Sequence, residues 1–119
     1  MATAVKRKLS GSTDGKAIKI TQTATAGDTI HTAVAGTTDG TYDEIYLWGY
    51  CGHTADVVTT LEFGGATVPD QNIVMTIPYK SGLVPLVPGL ILQNGMVVKA
   101  FASVANVVTI IGFANRMTD

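Results

Sequence analysis

The chain has 119 residues, enough for one domain of the commonest size with a core that needs no covalent staple. It is 46% hydrophobic but only 14% charged, well under the roughly 25% of an ordinary soluble domain, so its surface is short of charge and favours association over life as a free monomer. The formal net charge of −1 argues against a generally basic nucleic-acid binder, and the single cysteine, Cys51, excludes an intrachain disulfide.

The net charge hides an asymmetry. Residues 1–16 carry Lys6, Arg7, Lys8 and Lys16 against Asp14, a balance of +3, whereas residues 17–119 carry four bases and eight acids, a balance of −4. An extended basic N-terminal arm over 1–16 is therefore expected ahead of a single domain over 17–119. The arm reads either as a solvated tail or as a contact for an acidic surface on which it becomes ordered. No aromatic residue interleaves with its charges, so direct nucleic-acid binding is disfavoured. The early charges run into Leu9-Ser10-Gly11 rather than an apolar stretch, and synthesis in the cytoplasm is the expectation.

Beyond the arm the chain reads as all-β. Threonine, valine and isoleucine fill short runs bounded by glycine, asparagine and aspartate, and no apolar pattern of helical period is sustained. Strands are predicted over 17–24, 29–35, 42–52 and 55–63, most simply as two successive hairpins. A short strand follows over 73–77 and ends at Pro78, which cannot donate to a ladder. The stretch 83–92 is apolar but interrupted by Pro85, Pro88 and Gly89. It is too short and too broken to cross a bilayer, so no membrane contact is expected, and it reads as an edge strand or an extended crossover. Asn94-Gly95 is a turn, and 96–104 with 107–114 reads as a hairpin about Ala105-Asn106. About eight strands with apolar inner phases suit an antiparallel β-sandwich of jelly-roll kind.

The stretch 42–52 stands out because it holds three of the four tyrosines and the only tryptophan. Side chains alternate along a strand, so Tyr42, Glu44, Tyr46, Trp48 and Tyr50 share one face, and Ile45, Leu47, Gly49 and Cys51 share the other. One face is aliphatic core and the other an aromatic stripe. Tyr and Trp are enriched at protein interfaces, which makes the stripe, with Phe101 and Phe113 of the last hairpin, a candidate subunit or partner contact. Stacking on sugar rings, and packing beneath a loop or the basic arm of the same chain, are the alternatives.

Catalytic chemistry is sparse. His31 and His53 have no serine, cysteine and acid arrangement around them, and Cys51-Gly52-His53 lacks the second ligand pair that structural zinc requires. Gly11-Ser-Thr-Asp-Gly-Lys16 departs from a phosphate loop in spacing and precedes a strand. Asp43 and Glu44 point to opposite faces and cannot cooperate on one substrate. No catalytic, cofactor or metal-binding residue is assigned, and no enzymatic activity is expected.

The run from Ile77-Pro78 through Gly82-Leu83-Val84-Pro85-Leu86-Val87-Pro88-Gly89-Leu90, then Asn94-Gly95-Met96-Val97-Val98-Lys99-Ala100, and Asn106-Val107-Val108 to Gly112-Phe113-Ala114-Asn115-Arg116, resembles the capsid decoration (cement) proteins of tailed phages. The likeness covers about the last 40 residues, with a general similarity of the short basic arm. It implies a jelly-roll-like sandwich that assembles as a homotrimer on the exterior of an expanded head. There it would bind the major capsid protein and stabilise the shell, with Lys6, Arg7, Lys8 and Lys16 on the capsid-contacting arm. A carbohydrate- or receptor-binding module and a neck or tail component of the virion are the rival expectations.

Overall fold

In a computed structural model that describes residues 2–119, the alternating sequence forms nine strands: β1 (Thr3–Lys8), β2 (Ile18–Lys19), β3 (Asp28–Thr32), β4 (Tyr42–Cys51), β5 (Val57–Phe63), β6 (Asn72–Ile77), β7 (Val84–Leu92), β8 (Val97–Ala102) and β9 (Val108–Thr118). They pair antiparallel into two sheets. One runs β7–β4–β9 with β1 and β2 both on the far side of β9, and the other runs β3–β8–β5–β6. β1 pairs with residues 113–118 of β9 and β2 with residues 109–110, so the two form one strand interrupted by the loop 9–17. Counted that way, eight strands make two sheets of four, and successive strands alternate between sheets except at β5–β6, which is a jelly roll.

All three expected hairpins are therefore sheet crossings. Among the described residues, β5 and β6 are the only consecutive strands that bond to each other, while β8 and β9, expected as a hairpin, lie in opposite sheets. A turn between two alternating strands looks the same in either case. The crossing is selected because it lets Val98, Ala100 and Ala102 of β8 meet Val108, Ile110 and Ala114 of β9 from opposite sides of one core, each less than a tenth exposed. A hairpin would leave one of those apolar rows without a facing layer.

The N-terminal stretch also differs from expectation. Thr3–Lys8 is not an arm outside the sandwich but the edge strand β1, with all six residues solvent-exposed. It is held by backbone pairing to β9 rather than by burial, which is why no apolar alternation announced it. The boundary expected at 16/17 falls in the loop that joins β1 to β2. Leu9, which opens that loop, is buried and anchors it in the core.

The core lies between the sheets and includes Ile20, Ile30, Ile45, Leu47, Leu61, Ile77 and Ile110, all fully buried. Each large aliphatic chain so buried contributes about 1.5–3 kcal/mol relative to exposure. Cys51 packs among them as a small apolar side chain. Of the two forms expected for the proline-rich stretch, edge strand or extended crossover, β7 is the edge strand. Its register against β4 slips between Ile45 and Tyr46 and again between Leu47 and Trp48, which passes over Gly89 and Leu86. These bulges absorb the missing ladder bonds of Pro85 and Pro88.

Candidate functional site

β4 alternates without a fault: its odd positions, Asp43 to Cys51, are buried, and its even positions, Tyr42 to Tyr50, are half-exposed. The odd face looks across the core, and the even face is the outer surface of the sheet. β9 supplies the facing partners, with Phe113 opposite Tyr46, Ile111 opposite Trp48 and Met117 opposite Tyr42. Directly opposed residues point to the same side, so these side chains form a stripe two strands wide, apolar apart from the pair Glu44 and Asn115 that crosses it between Tyr42 and Tyr46.

The rings are ordered by stacking. Tyr46 and Phe113 have centroids 4.8 Å apart at 20°, and Trp48 and Phe113 are 6.1 Å apart at 28°, within the range of favourable offset pairs. Two glycines allow this. At Gly89, φ is +96° and a Cβ would lie 2.9 Å from the Tyr46 ring, whereas at Gly112 a Cβ would fall on the Tyr46 carbonyl oxygen. From β1 the Lys6 ammonium sits 4.7 Å above the Phe113 ring, a cation–π contact at the rim. The Tyr46 phenol is pushed above its ordinary pKa by its hydrogen bond to Glu44, with burial and the Glu44 charge adding to it. Glu44 Oε1 in turn accepts from Asn115 Nδ2 at 3.1 Å.

Beside the stack is a hollow of about 370 Å³ lined by Gly15, Trp48, Leu83, Ile111, Gly112 and Phe113. Apart from the indole N–H, no side chain in this lining donates or accepts a hydrogen bond. Leu83 at its edge is 60% exposed, and Leu90 and Ile91 of the neighbouring β7 are 44% and 58% exposed. Ile91, opposite Glu44, is on the face of the stripe, whereas Leu90, opposite Ile45, is on the other phase of β7.

Of the expected interface residues, Tyr42, Tyr46, Trp48, Tyr50 and Phe113 share this face. Phe101 does not: it lies on β8 in the other sheet, opposite Thr60 of β5, and points outward there. Its alternation is right, but the sheet is wrong, because β8 and β9 are not a hairpin. The basic residues disperse as well. Lys6 joins the aromatic rim, Arg7 lines a separate polar pocket, Lys8 donates to the Ser12 carbonyl at 3.2 Å, and Lys16 lies in the loop, where its carbonyl accepts from Ser12 Oγ at 2.6 Å.

A second cluster escaped the reading of the sequence. Asp43 is fully buried and accepts from Arg116 Nε at 2.8 Å, Arg116 Nη2 at 2.9 Å and His31 Nε2 at 2.6 Å. Burial pushes the Asp43 carboxyl up, but the hydrogen bonds from Arg116 and His31 and the Arg116 charge outweigh it and hold the group below the usual carboxylate value. His31 Nδ1 accepts from the Ser10 backbone N–H at 3.0 Å, which places the imidazole proton on Nε2. The trio resembles a hydrolase triad only superficially, since the serine meets the imidazole through its amide, and the Ser10 hydroxyl oxygen instead accepts from the Thr32 N–H at 2.7 Å. One signal was present in the sequence: Asp43 falls on the inward phase of β4, and a buried carboxylate requires partners.

Among the described residues no group of three or more His, Cys, Asp or Glu side chains is arranged to hold a metal ion. No protein-family model matches the chain, and neither does any curated protein or solved structure.

Proposed function

We propose that the chain is a structural protein of a virion, a decoration protein that assembles through its aromatic face, as a homotrimer, on the outside of a bacteriophage capsid and stabilises the expanded shell. The observation that carries a protein-contact role is the lining around Trp48. A sugar platform needs hydrogen-bonding groups beside the stacking ring to orient hydroxyls, whereas Leu83, Ile111 and Phe113 offer apolar surface alone. Leaving such a stripe in water is unfavourable, and burying it between copies is the economical outcome for a chain so short of charge. The jelly-roll strand order and the likeness of the C-terminal third to cement proteins support the virion setting. Contacts to the major capsid protein then fall to the basic edge at Lys6, Arg7, Lys8 and the 9–17 loop, each weak and summed by multivalency.

Light scattering on the purified chain tests the assembly. The expected mass is three times 12.4 kDa, with Trp48→Asp reducing it to a monomer. A wild-type monomer at micromolar concentration overturns the proposal. Glycan-array binding abolished by Trp48→Ala would replace it with the carbohydrate-binding reading.

A further inference from the structure

We infer that the pocket between β1, β3 and the end of β9 receives a carboxylate, the acidic side chain of a protein partner. The pocket has a volume of about 250 Å³ and is lined by Arg7, Lys8, Ser10, His31 and Arg116. Its lining offers donors with almost no free acceptor. Arg116 spends Nε and Nη2 on Asp43 and retains its Nη1 hydrogens. Arg7 has no hydrogen-bond or ion-pair partner among the described residues. The Ser10 oxygen accepts from Thr32, and its own hydrogen is committed to no group among the described residues. Both His31 nitrogens are engaged, by Ser10 and Asp43, so His31 forms a neutral wall.

The charge balance points the same way. Two guanidinium cations, Arg7 and Arg116, face a single anion, Asp43, which lies fully buried behind Arg116 and already accepts three hydrogen bonds, while the Lys8 ammonium, on the other phase of β1, donates to the Ser12 carbonyl. The pocket is therefore locally positive on a chain whose formal net charge is −1. Arg116 is held rigid by its fork to Asp43, so little order is lost when its outer edge takes a second oxyanion. Two guanidinium groups at one opening suit a planar carboxylate, which each engages through parallel N–H donors. A nucleic-acid backbone would need a basic track interleaved with stacking rings, and here the rings are on the opposite side of the sheet, on the other phase of β9. The inference concerns the chemistry of the partner and does not depend on the virion reading.

The test follows backbone amide resonances of the full chain during titration with sodium acetate and, separately, inorganic phosphate, with chloride keeping ionic strength constant. Acetate should produce saturable shifts confined to Arg7, Lys8, Ser10, His31, Thr32 and Arg116, with a millimolar dissociation constant. Arg7→Gln, on an exposed strand position, should weaken binding about tenfold through loss of a charge-assisted hydrogen bond, while Lys80→Gln, in the exposed loop between β6 and β7, leaves it unchanged. Shifts that never saturate, or that survive Arg7→Gln at full affinity, overturn the site. Saturation by phosphate with none by acetate overturns the carboxylate assignment and indicates a phosphate-bearing partner.

Discussion

His31 and Asp43 lie 12 positions apart in sequence and meet in the core at 2.6 Å, Nε2 donating to Oδ2. With Arg116 bound to the same carboxylate, this contact links β3, β4 and β9 across the two sheets. Removing the shared anion leaves the buried His31 Nε2–H and the Arg116 guanidinium without their acceptor. Asp43→Ala should destabilise the fold by about 3–5 kcal/mol in urea unfolding, and Arg116→Met in that background should cost much less than it does alone. Additive losses would show that the three groups do not act as a unit.

The same carboxylate sets a pH dependence. Asp43 and Asp28 both titrate below their ordinary value: burial raises each, and hydrogen bonds outweigh it, from Arg116 and His31 for Asp43 and from Thr21 and Gln22 for Asp28. A folded-state pKa below the unfolded one contributes stability that is complete above the unfolded value of about 3.9 and is lost as pH falls through the folded value. Urea midpoints should therefore decline below about pH 4 for these groups, and the decline should be shallower in Asp43→Asn. An acid limb of unchanged slope in that variant would assign the effect elsewhere.

Gly112 lies opposite Leu47 beneath the ring stack, and a Cβ there would strike the Tyr46 carbonyl. Gly112→Ala must push the strands apart or shift the register. A loss of about 3 kcal/mol or more is expected, at the upper end of ordinary substitutions, with a red shift of Trp48 emission as the stack opens. Wild-type thermal stability in this variant would contradict the packing described.

Thr59 offers the opposite sign. It is fully buried, and its hydroxyl has no hydrogen-bond partner. Thr59→Val removes an unsatisfied polar group at nearly constant volume and should stabilise the protein by about 1 kcal/mol, read as a higher urea midpoint at unchanged m-value. A decrease would mean that the hydroxyl has a partner, such as water.

Trp48 and Phe101 separate the two outer faces. If copies join through the β4–β9 stripe, Trp48→Ala should weaken self-association by about 2 kcal/mol, roughly thirtyfold, and Phe101→Ala should leave it unchanged. Analytical ultracentrifugation over a dilution series distinguishes them, and greater sensitivity at Phe101 would move the contact to the β3–β8–β5–β6 sheet.

Local alternation was enough to establish an all-β chain, the two faces of β4 and the inward place of Cys51, and the prolines narrowed β7 to an edge strand or a crossover. Each of these depends only on a period of two or on proline's missing N–H. Strand partnership was not legible, because a Gly or Asn turn between two alternating strands serves a hairpin and a sheet crossing equally well. Tertiary packing decided it: apolar rows such as those of β8 and β9 must face one another across a core, so the strands went to opposite sheets. That decision carried Phe101 away from the aromatic stripe and drew the basic N-terminal segment into the edge of a sheet. It also brought His31 and Arg116, far apart in the chain, to Asp43, whose inward phase on β4 was legible but whose partners no local pattern could name.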